Sequence, residues 1–148
     1  MKNNTTIEPH ADSLMEILSA QCSDLEALLA LARRETEVAG QNDFSALIEI
    51  VGERASLGER LEVYHRQIAE MRQRLSEPVE AALRSDVATR AAELAVDIQA
   101  QDARTRTLLM AAQREAATAL SRLNQGRRSI TGYLRDVRPA AIACDQLI

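Results

Sequence analysis

The stretch Asp43 to Leu75, DFSALIEIVGERASLGERLEVYHRQIAEMRQRL, decides the fold. Its apolar residues stand at Leu47, Ile50, Leu57, Leu61, Tyr64, Ile68, Met71 and Leu75, alternately three and four positions apart, with Arg54 the interruption. That spacing puts all of them on one side of an α-helix, as the a/d seam of a heptad. A second row, Phe44, Ile48 and Val51, is expected to widen the seam at its N-terminal end. Asp43 stands just before the first apolar residue, where its carboxylate can cap a free backbone N–H. A helix from Phe44 to Leu75 would be about 48 Å long at ~1.5 Å per residue. It cannot bury its own stripe, so the spacing predicts partner helices of similar length.

The flanking sequence supplies them. Residues 1–12 are polar and carry Pro9, which suggests a flexible N-terminal tail. Ser13 with Glu16 reads as a capping box opening a helix that runs to about Ala39. Its apolar face is marked by Leu14, Ile17, Leu18, Leu25, Leu28, Leu29, Leu31, Ala32 and Val38, and Gly40 is expected to end it in a left-handed conformation. The four-residue link from Gly40 to Asp43 is short enough to force the next helix back against the first. Gly52 and Gly58 lie inside that next helix, either tolerated there or marking close helix approach.

Pro78 must stop or kink the second helix, with Ser76 as N-cap of a third. The third helix is expected from Val79 to Leu123. Its stripe includes Val87, Leu94, Ile98, Leu109, Leu120 and Leu123, with Asp102 a polar interruption on the same face. Packing is expected to weaken over Gln99 to Thr107, which are polar nearly all round. Asn124-Gln125-Gly126 is expected to close this helix. The predicted architecture is therefore all-α, an antiparallel bundle of three long helices over residues 13–126. A C-terminal helical or mobile segment follows over 127–148. That segment carries Gly132 and Pro139 yet displays Ile130, Tyr133, Leu134 and Val137, which are the candidate partner-binding residues. Such a segment packs back on the bundle or folds onto a partner.

Composition narrows the functional classes. The chain has 148 residues, 46% of them hydrophobic, and only Phe44, Tyr64 and Tyr133 are aromatic. That suits one domain of thin helical layers rather than a thick globule around a deep pocket. The net charge of −4 argues against general nucleic-acid binding. It is uneven: positions 1–60 hold 5 basic and 11 acidic residues, and positions 61–148 hold 13 and 11. Cys22 and Cys144 form no metal-ligand spacing with His10 or His65, so two reduced thiols are expected. The N-terminus has no apolar secretory core, and no stretch approaches the ~20 apolar residues of a membrane span. A soluble, cytoplasmic protein is expected.

No P-loop, dinucleotide-binding glycine motif, HExxH or GxSxG occurs. His65 is followed by Arg66, Gln67 and Ile68 rather than the Lys and Gly that suit a phosphotransfer histidine. The sequence therefore points to a binding protein, not an enzyme, with no cofactor and no metal.

Two stretches carry a family resemblance, LEALLALARRETEVAGQNDFSALIEIVGERASLGERL (Leu25 to Leu61) and LLMAAQREAATALSRLNQGRRSITGYL (Leu108 to Leu134). The first is a Leu-rich helix, a small polar turn and a second helix. The second holds the Asn124-Gln125-Gly126 step followed by basic residues and a tyrosine. In this layout the chain resembles the FlgN-type flagellar export chaperones of type III secretion. It departs from them after Pro139 and in its few aromatics. The resemblance implies a cytoplasmic chaperone of flagellum biogenesis that shields hook-associated (hook–filament junction) proteins before their export. It implies delivery to the flagellar export gate or ATPase complex, with Tyr133 as the gate-docking tyrosine, and no membrane insertion. A filament-cap export chaperone, a coiled-coil adaptor unrelated to secretion and a phosphotransfer bundle are the alternatives. A homodimer is a further way to cover the stripes.

Overall fold

A computed structural model describes residues 9–74 and 76–145, with side chains for 12–74 and 76–136. It is all-helical, with four helices and no strand among the described residues: α1 Pro9–Gly40, α2 Phe44–Arg72, α3 Glu77–Leu83 and α4 Asp86–Asp145. The chain divides into two compact units, residues 1–108 and residues 109–148.

Helix α1 starts at Pro9, so residues 9–12 are helical and Ser13 lies inside the helix instead of capping it. Proline is accepted in a first turn because its missing N–H would lack an intrahelical partner there anyway. Residues 1–8 lie outside the described residues. At the other end Gly40 stays helical, and Asn42 takes the left-handed conformation at φ 57°. Asparagine tolerates that region, so the turn needs no glycine. The Asp43 N–H donates to the Val38 carbonyl at 3.0 Å. The Asp43 carboxylate accepts from the Ala46 N–H at 3.1 Å, as the sequence predicts for an N-cap.

The second break also falls where Pro78 demands it. Ser76 is the N-cap of α3 with extended backbone, φ −127° and ψ 150°, although its hydroxyl makes no capping bond. The chain then breaks again, which the hydrophobic pattern does not reveal. Helix α3 ends after seven residues, and Ser85 opens α4 by accepting from the Ala88 N–H at 3.3 Å. The expected helix from Val79 is therefore two helices. The signal was Ser85-Asp86, a cap followed by an acidic first turn. Helix α4 also passes through Gly126, where an ending was expected, and continues to Asp145. No described glycine has positive φ, and a Cβ placed on Gly126 meets nothing within 4 Å outside its chain neighbours and its own helix's backbone.

The first unit is held by two apolar clusters. Leu14 and Leu18 of α1 meet Ile68 of α2 and Val79 and Ala82 of α3. Leu29 of α1 meets Leu94 and Ile98 of α4. Helix α1 supplies both clusters. The heptad seam of α2 faces inward: Ile50, Leu57 and Ile68 are buried, and Leu47, Leu61, Tyr64 and Met71 are half-buried. Leu75 lies outside the described residues. The second row does not widen the seam, since Phe44, Ile48 and Val51 are 50%, 72% and 52% exposed. Contacts fix the helix directions. Asp24 and Glu35 of α1 meet Arg60 and Arg54 of α2 in reversed order, so these two helices run oppositely. Glu26 and Thr36 of α1 meet Arg90 and Thr105 in the same order, so α1 and this part of α4 run together.

Three substitutions test this arrangement. Ile68→Ala should cost about 2–5 kcal/mol in urea unfolding, because it empties a buried site. Ile48→Ala, on the exposed row, should stay within about 0.5 kcal/mol. Gly126→Ala should raise the helical dichroism, since alanine gains about 1 kcal/mol over glycine inside a helix. A loss of helicity there would mean that Gly126 is a left-handed cap.

Candidate functional site

Three features of the chain offer polar or apolar chemistry beyond a packed core. The first is a polar layer inside the first unit. Arg54, the interruption in the α2 seam, donates to Asp102 of α4 through both terminal nitrogens, Nη1 at 2.8 Å and Nη2 at 3.1 Å. Its Nη1 also pairs with Glu35 of α1. Beside it the Thr36 and Thr105 hydroxyls share a bond at 2.9 Å, and Thr36 lies 3.0 Å from the Ala32 carbonyl and 3.1 Å from the Gln101 side-chain oxygen. Glu35 and Thr105 are buried. The hydrogen bonds Arg54 donates to Asp102, outweighing burial, and to Glu35 hold its guanidinium further above its ordinary value. A fixed cation locked between two carboxylates has no proton to trade at neutral pH. This cluster therefore joins three helices. Within Gln99 to Thr107, expected to pack weakly, Gln101, Asp102 and Thr105 join this hydrogen-bonded layer, while the other residues are exposed.

A second ion pair ties α1 to α2 at the surface. Arg60 donates from Nε and Nη2 to Asp24, both at 2.9 Å. Those bonds hold the Asp24 carboxyl below the usual carboxylate range against the opposing effect of its burial, helped by the Arg60 charge and a Tyr64 bond.

The second feature is an open groove in the first unit, of about 840 Å³. Leu18, Leu25 and Leu61 lie in it, Ala88, Ala91 and Ala95 come from α4, and His65 and Arg66 from α2. His65 is exposed at this groove.

The third feature is the helix of residues 109–145. Its stripe at Leu109, Ala112, Ala116, Leu120, Leu123, Ile130 and Leu134 keeps three- and four-residue spacing through one polar position, Arg127. Leu120 is 59%, Leu123 66%, Ile130 62% and Leu134 57% exposed. Of the four partner-binding residues expected from sequence, Ile130 and Leu134 share this stripe. Tyr133, 68% exposed, stands at its edge. The Val137 side chain lies outside the described residues. Leu120 and Leu123 join Ile130 and Leu134 because α4 runs on through Gly126, where a helix end was expected.

Among the described residues there is no cluster of three or more metal-ligating side chains, and no helix is long and apolar enough to cross a membrane. The chain matches no protein-family model, no curated protein and no solved structure.

Two measurements check the electrostatics. Arg54→Ala should cost about 3 kcal/mol, the low end for breaking a buried pair, because Asp102 keeps water contact. Arg54→Met together with Glu35→Leu and Asp102→Leu should recover most of that loss. For Asp24 the folded pKa lies below the unfolded one, so its contribution is present above the ordinary carboxylate range and lost as pH falls through the folded value. Asp24→Asn should therefore be less stable than the natural chain at neutral pH, and the gap should close in acid.

Proposed function

We propose that this chain is a cytoplasmic, non-catalytic flagellar export chaperone of the FlgN type, which captures a client helix on residues 109–136. The observation that carries this reading is the exposed heptad-like stripe from Leu120 to Leu134 on an unbroken helix. Exposed apolar residues at helical spacing suit a helix laid along them, and a client's own amphipathic helix is such a segment. In this reading α1, α2 and the start of α4 form the antiparallel bundle of three long helices. The hook–filament junction proteins are the proposed clients, and Tyr133, exposed at the stripe's edge, is the proposed contact with the export gate.

Purified chain mixed with purified junction proteins tests the capture step. The reading expects a stable complex that Leu120→Ser with Leu123→Ser and Ile130→Ser abolishes, with the first unit's unfolding unchanged. Absence of a complex with the natural chain, or an undiminished complex with the triple variant, would refute it. Capture of a filament-cap protein alone would move the chain to the sister class. For the gate role, Tyr133→Ala should reduce export while leaving client capture intact; normal export would remove that role.

A further inference from the structure

The stripe on residues 109–136 does not stand among neutral residues. This segment holds five arginines, Arg114, Arg122, Arg127, Arg128 and Arg135, against Glu115 and Asp136. Residues 1–108 have the opposite balance, 12 basic residues against 19 acidic. Three of the arginines gather in one place. With Asn124, Thr131 and Gly132 they line a notch of about 540 Å³ on the helix surface. Arg127 lies within the stripe itself, while Arg128 and Arg135 lie along one flank. The Thr131 hydroxyl is occupied, donating to the Arg127 carbonyl at 2.8 Å. The guanidiniums are not, since among the described residues none of the three is ion-paired with a carboxylate.

We infer that the notch and stripe together form a docking site for an acidic amphipathic helix, whose apolar residues meet Leu120, Leu123, Ile130 and Leu134 and whose carboxylates meet Arg127, Arg128 and Arg135. The inference rests on reading residues 109–136 as a protein-binding surface, as proposed above, and names the chemistry of the partner. Three- and four-residue spacing demands a partner of the same period, which is another helix. A guanidinium fork binds carboxylates through two parallel N–H donors, so arginines beside a seam select Asp and Glu at the partner's flanking positions. Gly132 leaves room at the notch, where an added Cβ would meet nothing within 4 Å outside its chain neighbours and its own helix's backbone. A second copy of the same segment would set arginines against arginines, which disfavours it. An anionic membrane surface suits a broad apolar face with several large aromatics. This stripe is narrow, is interrupted by Arg127 and has Tyr133 as its one aromatic.

The test uses the full chain and two synthetic helical peptides that share one Leu heptad stripe, with flanks of Glu in one and Lys in the other. The Glu-flanked peptide should bind at least about tenfold more tightly at low salt, with the gap narrowing as salt rises. Arg127→Glu with Arg128→Glu and Arg135→Glu should invert the order while the dichroism stays the same. Equal affinity for the two peptides would overturn the inference, as would binding of neither. Tighter binding to phosphatidylserine vesicles than to the acidic peptide, or a dimer in sedimentation that excludes it, would also overturn it. Client capture is read separately. Junction proteins held equally by natural and charge-reversed chains would refute the arginine role and leave the chaperone reading standing. Failed capture with acidic-peptide binding intact would do the reverse.

Discussion

Arg54 is the residue on which the first unit turns. It stands where the α2 seam should hold an apolar side chain, and it meets a carboxylate on each of the other two long helices, Glu35 on α1 and Asp102 on α4. A cation at such a position is costly unless its donors are filled, and here two carboxylates fill them. Sliding one helix by a turn would keep much of the Leu and Ile contact, because apolar contact is non-directional. It would leave Arg54 and Glu35 unpaired in an apolar layer. The ion pairs therefore select one register among several that hydrophobic burial alone would accept, much as a single polar seam residue does in a coiled coil.

Much of this was legible in the sequence, and the places where it was not share one cause. The α2 heptad, the Asp43 cap and the stop before Pro78 are local signals, and each appears where the pattern puts it. Arg54 and Asp102 were both visible as polar residues on apolar faces. Nothing local says that two such interruptions, 48 positions apart, occupy the same layer. Read separately, Arg54 is an interruption in a seam and Asp102 part of a weakly packed stretch; together with Glu35 they are a contact. The glycines misled in the other direction. Gly126 carries the composition of a helix end yet lies inside α4, and Gly40 does end α1, but without the left-handed conformation. A glycine permits a left-handed turn without requiring one. The exposed row Phe44, Ile48 and Val51 shows the same limit, since helical spacing identifies a face but not whether a partner covers it.

The stripe on residues 109–136 was half legible. The sequence pattern puts Leu109 to Leu123 at the end of one helix and Ile130 to Val137 in a separate segment, with Gly126 as the boundary. With α4 continuous they become one surface, and the arginines at positions 127, 128 and 135 become part of that surface rather than a charged helix end. Here a residue's neighbours along the helix change its meaning. An arginine past a helix end is solvated charge; the same arginine beside a seam is a selectivity element.

The central claim is that residues 120–134 present their stripe to solvent in the free chain and bury it only on a partner. Amide hydrogen exchange tests this most directly, measured on the free chain at several concentrations. A helix without tertiary packing opens locally, whereas the layer around Leu94 and Ile98 opens only with the whole unit. The account predicts exchange over Leu120 to Leu134 at least about tenfold faster than over Leu94 to Ile98, and slowing when the acidic helix is added. Equal protection of the two regions in the dilute free chain would contradict it.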